Sequence, residues 1–255
     1  MRYLGGKSRL GKQIAYVINQ IRTPGQPYWE PFCGSCWVTI HVHDNGPRYC
    51  SDGCYELIEM WKALQDGWQP PRVVSEEMYA DAKDGKFAPA LTAFIGFGCS
   101  WGGKFFRGYA RPNKHHTNYA SESVNSLSDK LVHLDGVRFL YLDYKNPPPG
   151  VGFMIYADPP YAGTEGYNRR LNIPFSTFDF WKHARAWAAA GHTVIVSEYN
   201  APADFVCVRE MATRTDLETI GGGKDPRIER LFMNESQAHF YYENVLEQLE
   251  MEALC

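Results

Sequence analysis

Glu30-Pro31-Phe32-Cys33-Gly34-Ser35-Cys36-Trp37-Val38, EPFCGSCWV at residues 30–38, carries two readings that lead to different folds. Cys33 and Cys36 form a C-x2-C, and Cys50 and Cys54 follow as a C-x3-C at a separation that suits a zinc ribbon. The same letters also describe the end of a strand entering a small-residue turn that opens a helix, the usual way of holding a nucleotide-like cofactor. The first reading makes a metal-stapled module and the second a cofactor-using enzyme.

The flanking sequence favours the second. Upstream, SRLGKQIAYVINQI places Leu10, Ile14, Val17, Ile18 and Ile21 at helical spacing behind Ser8 as a possible N-cap. A strand at about 27–29, the turn, a helix from about Cys36, a strand near 48–51 ending at Asp52, and a helix through 56–64 then alternate. That rhythm opens a doubly wound α/β sheet. It puts Cys50 within a strand and Cys54 beyond it, which opposes four thiolates converging on one ion. His41 and His43 do not share a face of the expected helix, which argues against a metal there. Gly6-Lys7-Ser8 lacks the first glycine and the preceding strand of a phosphate loop.

Between about residues 67 and 130 the alternation stops. Pro70, Pro71, Pro89, Pro112 and many glycines punctuate this stretch. No Asp or Glu occurs from Gly85 to Ser121, while Lys86, Lys104, Arg107, Arg111 and Lys114 are interleaved with Trp101, Phe105, Phe106 and Tyr109. A basic and aromatic run of this kind suits phosphate backbones and base faces, and equally describes a solvated loop. The alternation resumes with FLYL at 139–142, GFMIYA at 152–157, the helix FDFWKHARAWAAAG and the strand TVIVSEY. The simplest architecture is one α/β domain in two halves, 1–66 and 131–255, with 67–130 inserted between them.

The sharpest chemical signal is Ile155-Tyr156-Ala157-Asp158-Pro159-Pro160-Tyr161. An apolar strand ends on an acid, and two prolines stop the ladder and fix φ. A carboxylate, a freed carbonyl and an aromatic face thus converge at the carboxyl edge of a sheet, where ligands sit in open α/β folds. Those parts match an exocyclic amine on a planar base: two acceptors for its N–H groups and a ring to stack on.

This segment, together with Tyr3-Leu4-Gly5-Gly6-Lys7, Glu30 to Ser35 and Asp52 in that order, resembles the Dam-type (D12 class) N6-adenine DNA methyltransferases, whose hallmark is DPPY. The resemblance implies a Rossmann-like methyltransferase sheet, S-adenosylmethionine as methyl donor, no metal, and a target-recognition role for the insertion. By the same resemblance Tyr3, Gly6 and Lys7 contact the cofactor from the amino-terminal segment, and Glu30, Phe32, Gly34 and Ser35 lie in the turn around its methionine portion. Asp52 accepts from the ribose hydroxyls and Asp143 contacts the cofactor's adenine. Asp158 and the Pro159 carbonyl orient the target amine, Pro160 stiffens the segment, and Tyr161 stacks on a flipped-out adenine. Lys104, Arg107 and Arg111 are the DNA-contact candidates. This chain departs from the family at Cys36, where a second glycine is usual, and at the bulky Trp37 after it.

Composition bounds the setting. A net charge of -3 does not mark a nucleic-acid binder overall, and seven cysteines in a 255-residue chain suggest free thiols. No apolar run is long enough to span a bilayer and no signal-like segment leads the chain. These features, with the resemblance, give the expectation of a cytoplasmic protein of a bacterium or phage-infected host. It acts on double-stranded DNA, with a cognate restriction nuclease as a potential partner. An RNA base methyltransferase and a zinc-stapled nucleic-acid-binding protein are the alternatives. Ser197-Glu198-Tyr199 is expected on the same sheet edge as DPPY, and Lys224, Arg227 and Arg230 on a loop.

Overall fold

Apolar residues on both faces of a strand require a layer on each side of the sheet, and the central strands carry them. The computed structural model describes residues 1, 3–111, 117–160, 175–213 and 227–246. Its strands are β1 (Tyr28–Glu30), β2 (Arg48–Asp52), β3 (Arg138–Tyr141), β4 (Met154–Ala157), β5 (Thr193–Glu198), β6 (Phe205–Thr213) and β7 (Arg227–Asn234). They form one seven-stranded sheet in the order β3-β2-β1-β4-β5-β7-β6. The first five are mutually parallel, and β7 enters antiparallel between β5 and β6. This is a Rossmann-like α/β sheet with an antiparallel hairpin at one edge. Its strand order reverses between β1 and β4, which opens a crevice at their carboxyl ends.

The side-chain period of two sorts β4 between the layers. Met154 and Tyr156 pack with Ile14 and Ile18 of α1 (Gly11–Ile21), whereas Ile155 and Ala157 pack with Phe180 and Trp187 of α6 (Thr177–Ala189). A third apolar cluster joins Leu57, Met60 and Trp61 of α2 (Tyr55–Gln65) to Phe94, Ile95 and Phe97 of α4 (Pro89–Gly98). Helices α3 (Glu76–Lys83) and α5 (Tyr119–Leu131) flank α4. The expected strands of the sheet are present within two residues of the limits read from the sequence.

Three expectations need correction. No helix follows Cys36: residues 39–41 make a single 3-10 turn, because Val38, Thr39, Ile40 and Val42 are β-branched and Cys36 has φ of 57°. Helix α1 starts at Gly11, and Ser8 lies in the preceding turn, where the Leu10 and Gly11 amides donate to the Lys7 carbonyl. In the region 67–130, where the sequence shows only a break in the alternation, the described residues hold α3, α4 and α5, and α4 has no amphipathic period because it is buried on all sides. Finally, Arg230 is in strand β7, paired with Glu210 at 2.7 Å, and not on a loop. Lys224 lies outside the described residues. Among the described residues no helix is long and apolar enough to cross a membrane.

Candidate active site at the carboxyl edge of the sheet

The turn after β1 is a backbone structure held from behind by side chains. Its first amide, Cys33 N–H, donates to the Ser51 carbonyl at 2.9 Å, continuing the β1–β2 pairing beyond Glu30. The Gly34 N–H donates to Asp52 Oδ2 at 3.1 Å, and Trp61 Nε1 donates to the Gly34 carbonyl at 3.0 Å. The Lys130 ammonium, from α5, donates to the Ser35 carbonyl. Gly34 has φ of +46°, and a Cβ there would stand 2.7 Å from the Tyr3 ring, so the turn admits no side chain at that point. Ser35 Oγ is buried and has no hydrogen-bond partner among the described residues. A buried polar atom in that state is uncommon and fits a ligand that supplies the missing partner.

Asp52 sits at the end of β2, as read from the sequence, but its carboxylate faces the turn. Oδ1 accepts from the Cys54 N–H at 3.0 Å and Oδ2 from Gly34. Burial pushes its pKa up to about 6, against the backbone donors that pull it down. With Gly34, Gly53 and Cys54 all donating, the carboxylate keeps one lone pair for a ligand hydroxyl. Glu30, by contrast, turns into the core, accepting from the Tyr28 hydroxyl at 2.9 Å and from Thr39. Burial, and the nearby Cys50, drive it well above the usual carboxylate range. Phe32 packs edge-on against Phe180 and beside Tyr144, so its ring braces the α6 layer. Asp143 lies two residues beyond β3 and caps its own turn, accepting from the Lys145 N–H at 2.9 Å.

Asp158 stands one residue past β4, on the same edge. Lys7 Nζ donates to its Oδ1 at 2.8 Å and lies 3.5 Å from Glu229 Oε1 of β7. Burial alone would lower the Lys7 pKa, but Asp158 and Glu229 more than offset it and hold the ammonium above its ordinary value. The amino-terminal segment thus crosses the carboxyl edge. Tyr3 covers Gly34, Gly6 passes Ser35 Oγ, and Lys7 reaches Asp158 instead of the turn. Pro159 is buried and Pro160 partly so, while Tyr161 lies outside the described residues. Ser197 and Glu198 end β5 on this edge, and the Tyr156 and Ser197 hydroxyls are 2.8 Å apart. Glu229 escaped the sequence reading. The only signal for it was an acid among apolar residues in RIERLF.

The basic run divides. Ser100 and Tyr109 bridge antiparallel, so the run is a hairpin. Phe105 and Phe106 fold inward over Gly96 and pack on each other, and the Tyr109 hydroxyl donates to the Val74 carbonyl at 2.7 Å. Phe105 and Phe106 are core, and Tyr109 is partly buried against it. Trp101 is 70% exposed, Lys104 is partly buried, and Arg107 and Arg111 are exposed, Arg111 beside Glu76. Lys114 lies outside the described residues.

Cys33, Cys36 and Cys50 are all buried, with their sulfurs within 4.8 Å of one another. The zinc-ribbon reading needed Cys54 as well, and Cys54 is not in this group. Its Sγ instead points toward Glu56 at the start of α2.

Solved structures with a related course include a candidate methylase from Haemophilus influenzae, 9% identical, with a TM-score of 0.41 over 88% of this chain and 87% of that one. A candidate methyltransferase complexed with SAH is 10% identical, with a TM-score of 0.35 over 90% of this chain and 53% of that one. A predicted N6-adenine-specific DNA methylase from Listeria monocytogenes is 12% identical, with a TM-score of 0.31 over 77% of this chain and 46% of that one. At such scores these are distant likenesses, and the fold is assigned from the chain's own strand order. Nothing among curated proteins matches the chain. Residues 3–88, which hold the amino-terminal segment, the turn after β1 and Asp52, match the family model of the D12 class N6 adenine-specific DNA methyltransferases.

Proposed function

We propose that the protein transfers a methyl group from S-adenosylmethionine to the exocyclic N6 amine of a flipped-out adenine in DNA. The observation that carries this reading is the position of Asp158. Its carboxylate ends the strand next to β1, on the edge where the Gly34–Ser35 turn has an unpartnered hydroxyl and no room for a side chain. The sulfonium of the donor supplies an already activated methyl group.

The chain's residues then bind and orient. Ser35 and Asp52 would hold the donor, with Tyr3 and Gly6 closing over the turn. Asp158 and the Pro159 carbonyl accept the two N–H bonds of the amine, turning its lone pair toward the methyl carbon. As nitrogen gains positive charge in the transition state, the adjacent carboxylate stabilises it. Lys7 fixes that carboxylate and is itself balanced by Glu229. Tyr161 is assigned the stacking role that a base taken out of a duplex requires. The helical region 67–130, with Trp101, Lys104 and Arg107 on its exposed hairpin, is assigned to the DNA.

The test is transfer of labelled methyl from S-adenosylmethionine to an adenine-containing duplex, followed by identification of N6-methyladenine. Label that enters RNA but not the duplex supports an RNA base methyltransferase instead. No transfer to either nucleic acid sinks the proposal.

A further inference from the structure

We propose that Cys33, Cys36 and Cys50 bind one zinc ion behind the turn, as a structural staple between β1, the turn and β2. The inference is independent of the proposed activity. Three soft donors enclosed in an apolar cluster suit a thiophilic d10 ion and exclude hard cations such as magnesium or calcium. Zinc–sulfur bonds of about 2.3 Å at tetrahedral angles place sulfurs about 3.8 Å apart. The three here already lie within 4.8 Å, so closure needs only small rotations.

Charge supports a divalent ion. Lys130 is 1% exposed; its ammonium donates to the Ser35 carbonyl and stands 3.7 Å over the Trp37 ring, with Cys36 and Glu30 as the nearby acidic groups. A buried ammonium is costly, and negative charge on Cys36 offsets part of that cost. Three thiolates on a divalent ion carry a net single negative charge, which one ammonium cancels. The Thr39 hydroxyl, 3.1 Å from Cys50 Sγ and bonded to Glu30, is an oxygen available to complete the coordination.

Cys36 supplies a separate argument. Its φ of 57° is a conformation glycine adopts freely, whereas a residue with a Cβ is strained there. A thiol at that position brings a third sulfur to Cys33 and Cys50, which glycine could not. Metal and cofactor are compatible, because the thiols lie in the core cluster while Ser35 and Gly34 line the side covered by Gly6 and Tyr3.

The experiment is elemental analysis of protein purified without added metal or chelator, on the wild type and on Cys36→Gly, Cys50→Ser and Cys54→Ser. One zinc per chain is expected in the wild type and Cys54→Ser, and none in the other two. Cys36→Gly keeps the backbone conformation, so it is expected to fold even if Cys50→Ser does not. Cobalt(II) added to the metal-free wild type should give sulfur-to-metal charge-transfer absorption, absent in Cys36→Gly. A strong chelator should lower the melting temperature of the wild type and leave that of Cys36→Gly unchanged. A wild type that takes up neither zinc nor cobalt overturns the proposal, as does zinc retained by Cys36→Gly or a disulfide between any two of the three cysteines in freshly isolated protein.

Discussion

Lys7 and Asp158 are 151 residues apart in the chain, and their side chains meet at 2.8 Å over the carboxyl edge of the sheet. The pair ties the amino-terminal segment to the end of β4. Under the proposed function each residue would have a separable role, Asp158 toward the substrate and Lys7 behind Asp158.

Replacing Asp158 with Ala is expected to reduce methyl transfer by at least about 10³-fold, because both an acceptor and the charge that stabilises the nitrogen are lost. Binding of S-adenosylhomocysteine, measured by calorimetry, should survive. A variant that still transfers at near wild-type rate would falsify the assignment of Asp158.

The Lys7 ammonium is held above its ordinary value of 10.5 by its two carboxylates. A cation with a raised folded-state pKa stabilises the protein fully below its unfolded value and loses that contribution only as pH rises through the folded one. The melting-temperature difference between wild type and Lys7→Met should therefore stay constant from about pH 7 to about pH 10. A difference that vanishes by about pH 9 contradicts the burial of a charged pair here.

Asp52 behaves in the opposite sense for function. Its carboxyl titrates at about 6, above the unfolded 3.8, so its stabilising contribution is complete below 3.8 and declines as pH rises through 6. The ionised form is the better acceptor for the turn and for a ribose hydroxyl. Donor affinity is expected to weaken as pH falls below about 6 in the wild type, and to be weaker by about 10-fold but flat across this window in Asp52→Asn. Calorimetric titration at either side of the window decides it, and identical pH dependence in the two proteins excludes Asp52 from the binding site.

Gly34→Ala introduces a Cβ 2.7 Å from the Tyr3 ring at a residue with φ of +46°. A loss of about 1 to 2 kcal/mol in denaturant unfolding is expected, since the ring must move and the backbone is strained. A neutral result would show that the amino-terminal segment does not close over the turn.

The hairpin offers a contrast between core and surface. Phe105→Ala should cost about 3 to 5 kcal/mol of stability, as a buried ring leaves a cavity. Trp101→Ala and Arg107→Ala should leave stability within about 0.5 kcal/mol. Both should weaken duplex binding, with the salt dependence reduced by about one unit of slope for Arg107→Ala only. Duplex affinity unchanged in both variants moves the DNA surface elsewhere.

Much of the sheet could be read in the sequence, because its strands are short apolar runs separated by helical periods, and period alone distinguishes them. Helix α4 could not, since a helix buried on every side shows no stripe. The β6–β7 hairpin was missed because its pairing is antiparallel and tertiary, with no local signature in RIERLFMN. The placing of Asp158 on the sheet edge followed from two prolines after an apolar strand. That of Glu229 could not, because its importance depends on Lys7 arriving from the other end of the chain.

EPFCGSCWV shows the same division. Its letters determined that a strand ending near Trp29 gives way to a tight turn, because glycine and small residues permit that backbone and little else. They also posed metal and cofactor as exclusive readings. Only the tertiary structure separated the thiols of Cys33 and Cys36, gathered behind the turn with Cys50, from the Gly34–Ser35 backbone beneath Tyr3. Side-chain direction in a turn is set by φ at each residue and by packing from β2, α2 and α5, and neither is written in the local sequence.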